Sequence, residues 1–364
     1  MSASLEPDAA PRWPQPARHV LDRVAETGNA GLQRTLESHR WTLASATDAQ
    51  GRRLDALLPG ELTMVHFNMS KKPLDDLRVR RAIAHAINRQ EFRESYGLSI
   101  TGEAVSVIGP GYLGFTDQVA KYDFNPDKAK ALLKEAGFSN GINLGEFVTS
   151  PIYLNSAELL QGQLKKIGIQ AEARIWEKIV LRDQVASGDR NAYLTDWGSA
   201  YFDPFDLGEP KLTTGGRGNF SFYANPKVDE WLKTASNSAD NAARKEAYFK
   251  VQKTVFDEAP WIFGYCLQNI EAAGAEVENW APAMDNRVNL HDVKLKKGDT
   301  IIVGMNVNAF VTLDPAMHRD RDTETVIRNM FDGLVTRTNG ADVVPELAEG
   351  WEEVNPTTYV FTLR

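Results

Sequence analysis

Trp197 and Tyr201 flank Ser199 and Ala200 in the run W-G-S-A-Y-F-D-P, which closes on Asp203 and Pro204. Two aromatic rings with polar tips suit stacking on a ligand, and serve equally well as core aromatics. The Asp203 carboxylate could take an ammonium group, although beside a proline it reads first as a turn residue. A second run, A-M-H-R-D-R-D at 316–322, sets Arg319 and Arg321 next to His318. Guanidinium groups hold carboxylates or phosphates through charge-assisted hydrogen bonds. Asp320 and Asp322 beside them also allow an exposed loop whose charges cancel. Asn219 and Phe220, with Ser221 and Tyr223, follow T-T-G-G-R-G and offer a further wall for a ligand. That glycine run lacks the lysine and spacing of a phosphate-binding loop and reads as flexible.

Catalytic patterns are missing. The chain has no G-x-S-x-G, H-E-x-x-H or C-x-x-C. His318-Arg319-Asp320 resembles a kinase H-R-D, but the asparagine that should follow is absent. The six histidines are scattered, with no pair at i, i+4 to suit zinc. No catalytic residue, cofactor or metal is therefore expected. His66, in an alternating strand pattern, reads as a hydrogen-bonded strand histidine. The net charge of −8 argues against nucleic acid, which is bound by neutralising phosphates, and against an anionic membrane surface. The single cysteine, Cys266, lies in the apolar run W-I-F-G-Y-C-L and reads as a buried small hydrophobe. No apolar stretch approaches a membrane span, and M-S-A-S-L-E-P-D-A-A has no signal-peptide core.

The elements that must position these residues follow from local patterns. Residues 1–17 are rich in Pro and Ala and read as irregular, and a helical pattern covers Arg18–Ser45. A strand begins at Leu62. Val79, Ile83 and Ile87 then recur at helical spacing, with Arg78, Arg81 and His85 on the polar, solvated side. Asn125-Pro126 and Asn225-Pro226 each read as a helix N-cap and first helical residue, and Gly137 as a left-handed stop. Gly145–Ile175 reads as a βαβ unit, with Asn155 capping its helix and Gly168 ending it. Ligands gather at the carboxyl ends of parallel strands, which points to Thr149 and Ser150 after one strand and to Trp197 after the strand near Ala192–Thr195. Asp240–Glu258 is a long helix. Trp261–Leu267, Val288–Leu295 and Thr300–Met305 are expected strands.

Several motifs occur together: K-K-P-L-D-D-L-R-V-R-R-A-I-A-H-A-I-N-R at 71–89, Y-D-F-N-P-D-K-A-K-A-L-L-K-E-A-G-F at 122–138, D-W-G-S-A-Y-F-D-P-F-D-L at 196–207, Y-A-N-P-K-V-D-E-W-L at 223–232 and E-A-P-W-I-F at 258–263. Residues 299–364 add L-D-P, F-D-G-L-V and P-E-L-A-E-G-W. This combination resembles the extracytoplasmic solute-binding proteins of ABC importers, in the peptide/nickel-binding family, family 5. Residues 299–364 resemble the family's beginning, yet follow residues 1–295, which resemble its later part. The family's middle region is missing. A chimera or a slice through tandem genes, a circular permutation that lost a lobe, and a partly folding fragment are the competing explanations.

The resemblance implies an α/β, two-lobed architecture of the periplasmic-binding type (type II-like, large cluster C form), permuted or truncated. One lobe would comprise residues 1–61 and 263–364, and the other 62–262. The implied function is capture of a small polar or peptide-like solute between the lobes, for handover to an ABC permease, by a periplasmic or extracytoplasmic monomer. A rearranged fragment without binding activity is the alternative, and an enzyme the distant one. In the family's peptide binders an aspartate three places after the tryptophan pairs with the ligand's amino terminus. Here that place holds Ala200, and a buried ammonium without a counter-charge is costly. With Arg319 and Arg321 on a loop that the family uses at its cleft, the ligand is expected to carry an anionic group.

Overall fold

The computed structural model describes residues 44–47, 53–56, 61–96, 101–109, 112–119, 121–199, 203–267, 270–283, 287–304, 312–317, 321–338, 342–355 and 357–364. The chain divides into two units: one holds Glu61–Ser199 and Asp203–Leu267, the other Met1–Gly60, Ala200–Phe202 and Gln268–Arg364.

The first unit is built on a six-stranded mixed sheet. Its strands are β1 (Glu61–Phe67), β2 (Thr101–Glu103), β3 (Ile142–Thr149), β4 (Ile169–Ile175), β5 (Ala192–Gly198) and β6 (Trp261–Leu267). Their order across the sheet is β2-β6-β1-β5-β3-β4. β3 runs parallel to β4 and β5, while β5-β1, β1-β6 and β6-β2 are antiparallel pairs. The helices are α1 (Leu77–Ala86), α2 (Arg89–Tyr96), α3 (Pro126–Glu135), α4 (Leu154–Lys166), α5 (Lys178–Ala186), α6 (Phe205–Leu212), α7 (Pro226–Asn237) and α8 (Asn241–Glu258).

Local chemistry sets most of these boundaries. Asp76, Asn125, Asn225 and Asp240 cap α1, α3, α7 and α8 by accepting hydrogen bonds from backbone N–H groups of the first turn. Gly137 and Gly168 turn the chain at positive φ after α3 and α4. Ala259 does the same after α8, despite its Cβ. The expected βαβ unit is present as β3-α4-β4. Asn155 does not cap α4, because a short 3-10 turn at Pro151–Tyr153 leads into it and moves the helix start to Leu154. The unit closes where Gly141 meets Gly168: Ile142 N donates to Gly168 O at 3.1 Å, and a Cβ at Gly141 would collide with that oxygen.

Val79, Ile83 and Ile87 are buried, as their spacing predicts, in a core with Val65, Phe67, Leu194 and Ile262 of the sheet and Leu160 of α4. Each such side chain contributes roughly 1.5–3 kcal/mol on burial. The polar side of α1 is not simply solvated. His85 is buried with Nδ1 2.8 Å from Asp123 O, and Arg81 donates to Asp257 O at 2.8 Å. These groups clasp distant segments, which periodicity cannot reveal.

The second unit consists of small antiparallel sheets. Ala44–Thr47, Arg53–Ala56 and Ile270–Ala273 form one, and Val335–Arg337 with Val343–Pro345 another. Ala348–Asn355 pairs with Thr358–Leu363 in a hairpin. Arg321–Arg328 is helical. Three expectations change here. Residues 300–304 are not a strand, only Lys294–Leu295 of the expected Val288–Leu295 strand is one, and Ala44–Ser45 is strand rather than helix end. Strands need pairing partners that a single segment does not announce. The rest of the expected Arg18–Ser45 helix lies outside the described residues. The expected boundary at 262/263 would cut β6, whose pairing with β1 and β2 keeps Trp261–Leu267 whole in the first unit.

Candidate ligand-binding site

β1 places Leu62, Met64 and His66 on one face of the sheet, because alternate residues share a face. Their partners across the ladder are Trp197, Thr195 and Tyr193 of β5, and Phe263 and Trp261 of β6 lie opposite Met64 and His66. The face opposite the α1-α4 core is therefore aromatic. It is covered by α6 and by the loop 213–223. Trp197 Nε1 donates to Asp206 O at 2.8 Å, which ties its ring to α6. Trp261 Nε1 donates to Ser221 Oγ at 2.8 Å, and Ser221 Oγ lies 3.2 Å from His66 Nδ1. His66 stacks on Tyr193 with ring centroids 4.4 Å apart.

Beneath α6, a narrow recess is lined by Leu62, Met64, Val107, Trp197, Leu207 and Trp261 around Lys211. The Lys211 ammonium lies 3.6 Å from the Trp197 ring centroid and 5.4 Å from that of Phe220. Burial lowers its pKa to about 7, against a rise from Asp196 and with further lowering from Arg217 and Arg182. Burial, and then the charge of Lys211, hold the His66 pKa well below its ordinary value, so the imidazole is neutral. Its Nε2 and the Tyr193 hydroxyl are buried without hydrogen-bond partners. Burial also raises the Tyr193 pKa, so the phenol stays protonated.

The residues singled out in the sequence occupy distinct places. Trp197 and Ser199 lie at the end of β5, and the parallel β3 ends in the same direction at Thr149. Thr149 is fully buried with Oγ1 donating to Leu194 O at 2.9 Å, and Ser150 is buried beside it. Asp203 is engaged twice: it accepts from Phe205 N at 2.9 Å at the start of α6, and holds Arg244 at 2.7 and 2.6 Å through both oxygens. Asn219 clasps its own loop, donating to Thr213 O and Tyr223 O and accepting from Tyr223 N. Phe220 packs near Tyr193 at 6.2 Å. Arg321 starts the helix Arg321–Arg328. Ala200, Tyr201, His318 and Arg319 lie outside the described residues. T-T-G-G-R-G, expected to be flexible, is a hydrogen-bonded turn in which Gly218 N donates to Pro210 O and Gly216 N to Thr213 O. Lys211 was not anticipated. The available signal was its place four residues after Leu207, on the apolar side of a short helix.

Among the described residues no group of three or more His, Cys, Asp or Glu could hold a metal ion, and no helix is long and apolar enough to cross a membrane. The family model for bacterial extracellular solute-binding proteins, family 5 Middle, matches residues 23–219. The dipeptide-binding protein of Escherichia coli (strain K12) is 28% identical over 213 residues, covering 56% of this chain and 40% of that protein. Heme-binding protein A of Haemophilus influenzae is 28% identical over 207 residues, covering 54% and 38%. The chain thus spans about two-fifths of the length of these curated relatives. The solved structure of DppA from Helicobacter pylori in complex with the peptide STSA superposes with a TM-score of 0.62 at 23% identity, covering 68% of this chain and 49% of that one. The mixed α/β fold is thereby that of the cluster C periplasmic binding proteins.

Proposed function

This chain belongs to the bacterial extracellular solute-binding proteins of family 5, and we propose that it captures a small polar solute, peptide-like or related, for delivery to the permease of an ABC importer. The family is one of binding proteins rather than enzymes. The observation that carries the reading is the Trp197 end of the mixed sheet. Ring faces and a sequestered cation meet there beneath α6, next to Ser199 and near the carboxyl end of β3. Aromatic surface with a few polar groups is the usual make-up of a small-molecule site. Ligands named for relatives, a dipeptide for one and heme for another, are the first to try.

Asp203 is a poor partner for a ligand ammonium, since Arg244 and the α6 backbone already use its oxygens. With Ala200 in the family's aspartate position, this supports a ligand whose key charge is negative. On the family resemblance Arg319, and Arg321 at the start of the helix Arg321–Arg328, would supply positive charge to a ligand, and Arg319→Ala is then expected to weaken binding about tenfold, the worth of one charge-assisted hydrogen bond. Unchanged affinity in titration calorimetry would remove that segment from the site. A thermal-shift screen of dipeptides, glutathione, heme, opines and sugars tests the function itself. A binder gains stability with one ligand class by mass action, about 2.7 kcal/mol at a hundred times Kd. No gain with any class favours the non-binding alternative. We also read residues 299–364 as the family's opening segment placed after its closing one, on the motifs they carry. Sequencing the DNA that flanks the reading frame would test this order.

A further inference from the structure

Lys211 is only 3% exposed, yet among the described residues its ammonium donates no hydrogen bond and meets no carboxylate. An ammonium so largely withdrawn from water, with ring faces rather than a carboxylate against it, is costly. The fold nevertheless holds it in place. Gly218 makes room for the stem, for a Cβ there would come within 3.1 Å of Lys211 Cδ and 3.2 Å of Cε. The Trp197 ring that bears the charge is itself pinned to Asp206 O. The surrounding recess is apolar: Leu62, Met64, Val107, Leu207 and the two indoles. Stem and charge together therefore form a cation at the base of an apolar lining.

We propose that Lys211 is the anion anchor of the ligand site, taking a carboxylate borne on an apolar or aromatic body that lies against Trp197. This rests on the solute-binding reading above and names the chemistry it selects. On this proposal the ammonium leaves the Trp197 ring, where it now lies 3.6 Å from the centroid, for the carboxylate as the ligand binds. The charged groups around it fix the pH dependence. Asp196 on β5 favours the ammonium, whereas Arg217 on the loop and Arg182 on α5 oppose it, and His66 on β1 is neutral. With a free-state pKa of about 7, affinity is flat below pH 7. It then falls by up to about tenfold per pH unit above, because the complex must take up a proton.

The test is titration calorimetry of the full chain with the dipeptide Ala-Phe and its C-terminal amide, in wild type and Lys211→Met. Expected is binding of the acid at least about tenfold tighter than of the amide at pH 6.5, with the difference gone in Lys211→Met. At pH 8.5, two buffers of different ionisation enthalpy should report uptake of close to one proton by the wild-type protein, a readout that needs no variant to fold. Equal affinity for acid and amide, a preference that survives in Lys211→Met, or no proton uptake would overturn the anchor and leave solute binding standing. If neither probe binds at either pH, the anchor falls, while the solute-binding reading is decided separately by the thermal-shift screen.

Discussion

The residues from Glu61 to Leu267 and those from Gln268 onward use similar apolar residues to opposite effect. In the first region Phe67, Val148, Leu194 and Ile262 are buried between sheet and helices. In the second, Ala348, Ile327, Ala283 and Trp280 are buried, but Trp351, Tyr359, Val360 and Leu363 of the hairpin are exposed, and Ile302 is 93% exposed. Alternation and β-propensity are enough to make a hairpin, but a hairpin is marginal without a layer to cover it. Among the described residues the larger buried apolar core is therefore the one around the mixed sheet, which also carries the candidate ligand chemistry.

Substitutions sharpen this contrast. The largest effect is expected for Leu194→Ala, which opens a cavity in the fully buried centre of β5 and should cost about 2–5 kcal/mol in urea unfolding. Leu363→Ala in the hairpin should stay within about 0.5 kcal/mol. Equal losses at both positions would mean that the hairpin is covered in solution. Next comes Arg80→Met. The buried Arg80 guanidinium donates to the carbonyls of Leu74, Asp75, Glu258 and Ala259, joining the start of α1 to the end of α8. Its loss strands those acceptors, for an expected cost of about 2–3 kcal/mol. A further effect, of similar size, concerns pH. The folded state holds the Lys211 pKa near 7, while the unfolded chain keeps it near 10.5, so between these values the unfolded state binds more protons. Stability should rise with pH from 7 to about 9.5. Above that, tyrosines whose pKa burial has raised, Tyr193 and Tyr265 among them, reverse the trend. Lys211→Met should flatten the rise, which thermal melts across that range would reveal.

What could be read in advance follows the range of the interactions. Asn125-Pro126, Asn225-Pro226, Gly137 and Gly168 act within one helical turn of themselves, and each appears in the expected role. Asn155 failed because Pro151 starts a 3-10 turn ahead of it. His85 and Arg81 were assigned to solvent because their partners, Asp123 and Asp257, come from other elements. The strand expected from Thr300 depended on a pairing partner that no local pattern names. The site divides in the same way. The places of Trp197 near the end of β5 and of Thr149 at the end of β3 were legible from strand pattern and the βαβ rule. Lys211 was not, because a lysine in a charged helix looks solvated until Gly218, Trp197 and Phe220 are brought around it.

The central claim is that solute is taken at the Trp197 end of the mixed sheet. Hydrogen–deuterium exchange of the full chain, with and without a saturating compound from the thermal-shift screen, tests it most directly. The account predicts new protection concentrated in residues 197–199 and 205–223, with little change in the hairpin 348–363. Protection confined to other segments, with 197–223 unchanged under saturation, would contradict it.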